Sequence, residues 1–237
     1  MQQQIKIYDF EQRSPEWYQI REGKITASGI INILGKDTLA TTKGAIDNLA
    51  IKLATEQVFG MIENDFVSFD MQRGIDMEPS AIGLLADILA TEFIDISKVG
   101  FIEHSEHIGC SPDGLASNNF TAESKCPNPE NFFKLCITRE IDRKHYAQVQ
   151  HQIFCKDAAG GYYINYCVHR GKEYHILDVI ERDEPMQALI KSRCEDVIEK
   201  KLRHIPILEE MKHSKGITPI HIQLHDQTTT VHEIIKG

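Results

Sequence analysis

The chain has 237 residues, 41% of them hydrophobic and 26% charged, enough for one substantial folded core. No uninterrupted apolar stretch approaches the roughly 20 residues that span a bilayer, and the first residues carry no export signal, so a cytoplasmic protein without a membrane is expected. A formal net charge of −9 argues against wrapping of nucleic acid by the whole surface, and six cysteines without a Cys-x-x-Cys pair argue against zinc and disulfide frameworks.

In chain order, residues 5–12 read as a short edge element. Ser14-Pro15-Glu16 then forms a cap with proline at the first helical position, followed by Trp17, Ile20 and Arg21 on a short helix that Gly23 breaks. Thr26-Ala27-Ser28 opens a second short helix carrying Ile30, Ile31 and Leu34. Between 41 and 58, Ile46, Leu49, Ala50, Leu53 and Ala54 recur at helical spacing, and a further helix is predicted over 77–93, with Pro79 near its start and Glu78 at its mouth.

The centre is strand-like, over 99–103, 108–115 and 120–125. Helices are expected over 128–136 and 142–155, and Gly160-Gly161 reads as the stop after the second. Strands over 162–168 and 174–180 precede a long helix over 185–211, and 217–224 reads as a short strand or an extended arm. Repeats and interdomain linkers are lacking, so a single α/β domain over 1–237 is predicted, with a central mixed β-sheet flanked by helices.

The chemistry concentrates in Cys110-Ser111-Pro112-Asp113-Gly114-Leu115 and Glu123-Ser124-Lys125-Cys126-Pro127. Asp113 and Glu123 stand ten positions apart on what read as adjacent strands, and Lys125 follows two positions later. Two carboxylates can hold a hard cation through oxygen, while the lysine orients or acidifies a water, as in a magnesium-dependent phosphodiesterase. Strand alternation points Glu123 and Lys125 to one side and leaves the Ser124 side chain on the other. The competing readings are a turn acid for Asp113 and a surface lysine for Lys125. Arg21, Lys24, Lys43, Arg73, Lys134, Arg139, Arg143 and Lys144 are candidates for a basic channel, or else solvated surface residues. His104 and His107 lack a second ligand pair at zinc spacing, and no Walker-type phosphate loop is present.

Four ordered blocks resemble the phage-type alkaline exonucleases, the lambda exonuclease or YqaJ-like recombinase group of the restriction-endonuclease-like nuclease superfamily. They are residues 17–28, Arg73-Gly74 with Glu78-Pro79, the two strings around Asp113 and Glu123, and Tyr146-Ala147-Gln148-Val149-Gln150. The resemblance implies a nuclease core over 73–183, an end-binding helical region over 1–40 and a C-terminal helix and extension over 184–237. It also implies digestion of a double-stranded DNA end in the 5′ to 3′ direction. The products would be 5′-mononucleotides and a 3′-ending single strand for recombination. A ring-shaped homotrimer, a phage single-strand annealing protein as partner and a bacterial cytoplasm complete the implied setting.

Residue by residue, the resemblance implies that Asp113, Glu123 and Glu78 ligate two Mg²⁺ ions, with Mn²⁺ able to substitute, and that the Ser124 backbone carbonyl completes part of the shell. A larger aliphatic residue is usual at Ser124, so weaker packing behind the site is expected. Lys125 would position the attacking water and Gln148 would reach the scissile phosphate or that water. Gln150, two positions on, is placed with DNA contacts or with structure, and Tyr146 with the channel or the core. Arg21 would grip the terminal 5′-phosphate through its planar fork, helped by Thr26 and by Ser28 at a helix start. Two alternatives remain: a related endonuclease or repair nuclease, and a DNA-binding recombination scaffold without catalysis.

Overall fold

The run Phe-Thr-Ala-Glu-Ser-Lys becomes the strand around which the fold is assembled. The computed structural model of the protein describes residues 4–34, 44–60 and 68–214. Their elements are β1 (Lys6–Tyr8), α1 (Pro15–Arg21), α2 (Ile31–Leu34), α3 (Ala45–Phe59), α4 (Phe69–Ala90), β2 (Ile96–Ser97), β3 (Phe101–Ser105) and β4 (Ile108–Cys110). Next come β5 (Gly114–Ala116), β6 (Phe120–Lys125), α5 (Pro129–Thr138), α6 (Arg143–Lys156), β7 (Gly160–His169), β8 (Lys172–Glu181) and α7 (Glu184–His213). The segment 217–224 lies outside the described residues.

The strands make one sheet of order β1-β3-β4 and another of order β2-β5-β6-β7-β8. Strand pairings are antiparallel except that of β6 with β7, which sets Glu123 beside Tyr163 and Lys125 beside Asn165. A parallel pair cannot be closed by a hairpin, and α5 with α6 supplies the crossover. One face of β6 and β7 presents Ala122, Tyr162 and Ile164 to Ala81, Leu85 and Leu89 of α4. Against the opposite face lies α6, whose Val149 and Ile153 pack with Tyr163. A further cluster joins the smaller sheet to α2, α3, α6 and α7.

Helix α4 starts at Phe69 rather than near 77, because Ser68 is its cap and accepts from the Met71 N–H at 3.2 Å. Pro79 therefore lies inside the helix, and Glu78 sits in its middle turns, where an N-terminal dipole cannot explain it. Gly160 and Gly161 begin β7 instead of only ending a helix. Their role is tertiary: a Cβ would fall 2.7 Å from the Phe120 ring at Gly160 and 2.6 Å from Val149 Cγ1 at Gly161. The run 108–115 divides between two sheets, as β4 and β5. Residues 27–30 form turns before a four-residue α2, so Ser28 offers a hydroxyl in a turn rather than the start of a helix.

Leu85 is fully buried between α4 and the larger sheet. Leu85→Ala should lower the free energy of unfolding by about 2–5 kcal/mol in urea titration, and a loss below about 1 kcal/mol would place this contact outside the core.

Candidate active site

Pro112-Asp113-Gly114 is a bend feeding β5, and β5 pairs with β6, which brings Asp113 to the end of the strand that carries Glu123. The Asp113 N–H donates to the Ala122 carbonyl at 2.9 Å. Asp113 Oδ2 accepts from both the N–H and the hydroxyl of Ser124, each at 2.7 Å. Ser124 thus does more than leave space where a larger aliphatic side chain was expected. Its hydroxyl fixes the orientation of the Asp113 carboxylate.

Glu123 is 2% exposed, and three donors converge on its carboxyl group, which a buried polar group requires. Lys125 Nζ and Gln148 Nε2 donate to Oε1, the latter at 2.6 Å, while Gln152 Nε2 donates to Oε2 at 2.5 Å. Gln148 and Gln152 lie one helical turn apart on α6 and share the face that meets β6. Glu78 accepts from Arg13 Nη2 at 3.0 Å.

The carboxylates sense one another. Burial, then the Glu123 charge and then that of Glu78 push the Asp113 carboxyl up to about 8, against the opposing pull of Lys125 and the Ser124 N–H. Burial also works against the charged form of Lys125, but Glu123, Asp113 and Glu78 outweigh it and hold the ammonium above its ordinary value. The neighbouring Cys126 thiol is pushed up to about 11, chiefly by burial, and is a poor nucleophile. Oxygen donors of this kind suit a hard divalent cation, which would relieve the repulsion that raises Asp113. As the side chains lie, no three His, Cys, Asp or Glu residues among those described are grouped to hold an ion. Arg13 holds Glu78, and Glu123 is satisfied by its three donors.

A second cluster begins two residues before Asp113. The Ser111 hydroxyl accepts from Trp17 Nε1 at 2.8 Å and from Arg21 Nη1 at 3.2 Å, and the Arg21 guanidinium lies 4.0 Å from the centre of the Trp17 ring. Burial lowers Arg21 to about 10, which leaves it a cation at neutral pH. Arg21, Lys24, Thr26 and Ser28 line a cavity of about 560 Å³ with Asn48 and Lys52. On the Lys125 side a cleft of about 860 Å³ is lined by Arg73, Lys134, Lys144 and His145. Of the other basic candidates, Arg139 and Arg143 do not line these cavities, and Lys43 lies outside the described residues.

Gln150 is not at a DNA-binding surface. It is fully buried, donates to the Glu181 carbonyl at 2.7 Å and accepts from the Asp183 N–H and the Gln187 side chain, so it anchors the start of α7. Tyr146 packs against the core and donates to Asp183 at 3.0 Å. Sequence reasoning missed Gln152, Arg13 and the role of Ser111. The four-residue step from Gln148 was a usable signal for Gln152, whereas nothing local marks Arg13 as the partner of Glu78.

The YqaJ-like viral recombinase domain matches residues 16–159. The structure of an alkaline exonuclease from Laribacter hongkongensis, LHK-Exo, is similar with a TM-score of 0.70 and 24% identity, covering 84% of this chain and 98% of that one. LHK-Exo in complex with dAMP gives a TM-score of 0.69 at the same identity and coverage. A phage-related exonuclease from Haemophilus somnus 129PT gives a TM-score of 0.54 at 17% identity, covering 78% of this chain and 96% of that one. No curated protein sequence matches the chain. At these identities the solved structures speak for the fold, which is that of the exonucleases.

Because the folded-state pKa of Asp113 is raised from 3.8 to about 8, the folded ion-free protein holds a proton there that the unfolded chain has lost. That contribution to stability falls as pH rises between those values and is gone above pH 8. The melting temperature of wild type minus that of Asp113→Asn should therefore decline from pH 6 to pH 8.5 in chelator, and added Mg²⁺ should reverse the decline. A difference that does not change with pH would refute the raised pKa.

Proposed function

The chain belongs to the YqaJ-like viral recombinase family, and on that premise we propose that it is a magnesium-dependent DNA exonuclease. It shortens one strand of a duplex from its 5′ end, releases 5′-mononucleotides and leaves a 3′ single strand for recombination. The observation that carries the reading is the pair of clusters joined by Ser111-Pro112-Asp113: buried carboxylates with a lysine on one side, and a partly desolvated arginine on the other. Their separation of two residues suits a terminal phosphate on Arg21 and the next phosphate at Asp113.

Asp113, Glu123 and Glu78 are the residues that would hold the ions, with the Ser124 carbonyl as a further oxygen, once Arg13 and Lys125 release their carboxylates. Bound there, Mg²⁺ supplies acidification of a water and neutralisation of charge on the leaving oxygen. The chain's own groups do the rest. Lys125, freed from Glu123, faces the cleft and offers N–H donors to the water and to the phosphoryl oxygens. Gln148 and Gln152 keep Glu123 aimed while its partner changes.

Water adds to phosphorus, and the bond from phosphorus to the 3′ oxygen of the terminal nucleotide breaks. The shortened strand then begins with a new 5′-phosphate, the ligand that Arg21 is suited to take. The dAMP bound by LHK-Exo is a nucleotide of the proposed product class. A homotrimeric ring around the DNA, a phage annealing protein as partner and a bacterial cytoplasm complete the proposal. Among the described residues no helix is long and apolar enough to cross a membrane.

Asp113→Asn should lower kcat by about 10³-fold or more, the equivalent of several kcal/mol of lost charge stabilisation, while circular dichroism stays native. Normal Mg²⁺-dependent hydrolysis by that variant would overturn the site. Linear duplex should be consumed and closed circular DNA spared, whereas cutting of the circle would favour an endonuclease. Arg21→Gln should weaken use of 5′-phosphorylated ends by about 10- to 100-fold in kcat/KM, the worth of hydrogen bonds to a charged group.

A further inference from the structure

Helix α1, which carries Arg21, has only seven residues and none of them is buried. Within this helix the guanidinium meets the Trp17 ring, but an element with no buried residue is weakly anchored, so further fixation must come from neighbouring segments. Two residues beyond Arg21, Gly23 adopts φ +66°, and a Cβ there would lie 2.9 Å from Gln57 Cβ and 3.1 Å from the Leu53 carbonyl of α3. The turn then joins the smaller sheet, where the Ile25 N–H donates to the His107 carbonyl at 2.8 Å and the Ile25 carbonyl accepts from the Gly109 N–H at 3.0 Å. Lys24 closes back on the Arg21 carbonyl at 3.0 Å and reaches the Glu106 carbonyl at 2.6 Å.

The remaining side of this turn is held from 178 residues away. Lys201 of α7 is 1% exposed and donates through Nζ to the Gly23 carbonyl at 2.6 Å, with His107 Nδ1 at 3.4 Å. Among the described residues no carboxylate forms an ion pair with it, and burial followed by the charge of Lys24 brings its ammonium down to about 8. A buried amine without an ion-pair partner is a costly way to fill space, since an apolar side chain of similar length would do so without desolvation. What the amine adds is one directed bond to the backbone of the turn that carries Arg21 and leads to Thr26 and Ser28. The donor survives in either protonation state, because the neutral amine also carries N–H groups.

We propose that Lys201 is a positioning residue for recognition of a DNA 5′ end: its bond to the Gly23 carbonyl fixes the turn that sets the Arg21 guanidinium against Ser111. The inference rests on the proposed reading of Arg21 as the 5′-phosphate ligand and deepens it. Lys201 touches neither phosphate nor ions, so it acts through the turn.

The test uses the full chain on two blunt duplexes that differ only in a 5′-phosphate or a 5′-hydroxyl, with Arg21→Gln as reference. Lys201→Met should raise KM for the phosphorylated duplex about tenfold and leave kcat within about twofold, so that preference for the phosphate drops by the rise in KM. A merely structural role would reduce the amount of active enzyme and scale kcat for both ends alike, leaving the preference intact; that outcome overturns the inference. If Arg21→Gln loses the preference and a folded Lys201→Met keeps it, Lys201 alone is misassigned. If Arg21→Gln keeps it, the end-binding reading and this inference fail together. Should Lys201→Met not fold, Gly23→Ala decides, because it displaces the same turn with the lysine intact. Loss of preference at unchanged kcat supports the clamp, and full preference removes it.

Discussion

A buried carboxylate on β6 is the constraint around which this fold is arranged. Glu123 is almost fully withdrawn from water, and an unpaired charge there would cost several kcal/mol. Lys125 comes from the same strand, but Gln148 and Gln152 come from α6, so the helix must cross the β6 face in one register. That placement uses the crossover between β6 and β7, the one parallel strand pairing of the larger sheet among the described residues. The hydrogen bonds of the candidate site and the topology of the sheet are therefore one requirement. Ser124 extends it to the neighbouring strand by holding Asp113, so the two acids keep a fixed relation although ten residues separate them.

Asp113 and Ser111 also tie this centre to the N-terminal region. The chain between them contains Pro112, whose carbonyl accepts from Gln12 at 2.9 Å, and Gln12 reaches the Val99 carbonyl at 3.0 Å. Trp17 and Arg21 then close on Ser111. A displacement of the first 25 residues would be transmitted to the bend that carries Asp113. Segments that the sequence separates by some 90 positions thus behave as neighbouring parts of one surface. Arg13 belongs to the same region and is bound to Glu78, so the proposed cation would have to displace Arg13 to reach that carboxylate.

Legibility followed how local the deciding interaction was. The 120–125 strand, the strands β7 and β8 and the helices α6 and α7 were readable because β-forming residues cluster or three- and four-residue spacing repeats within each segment. The start of α4 was misplaced because Pro79 imitates a first-turn proline, whereas Ser68, eleven residues before it, caps the helix. At Gly160 and Gly161 the signal was correct as punctuation but silent about cause, which lies in the Phe120 and Val149 side chains. Asp113, Glu123 and Lys125 stood out through motif spacing, and Glu78, Gln148 and Arg21 only through the family resemblance, while the partners Arg13 and Ser111 come from distant segments. Lys201 was not read from the sequence: Ile190, Cys194, Val197 and Lys201 form one buried stripe of α7, but nothing in that stripe says which carbonyl the amine meets.

The acidity of the whole chain fits this division between general surface and directed site. With a net charge of −9, attraction summed over the surface would oppose a polyanion rather than gather it. At physiological salt, however, charges more than about 8 Å apart are largely screened, so outlying acids act weakly on a phosphate seated beside Arg21. Inside the partly desolvated cavity, Arg21 and Lys24 interact with an anion at a lower effective dielectric than outer carboxylates do. If Arg21 is the 5′-phosphate ligand, as proposed, affinity would depend on the terminal phosphate being presented to those few donors, which the flank of a duplex cannot do. On the proposed reading, such a surface would discourage binding along the interior of DNA while keeping a local preference for its end.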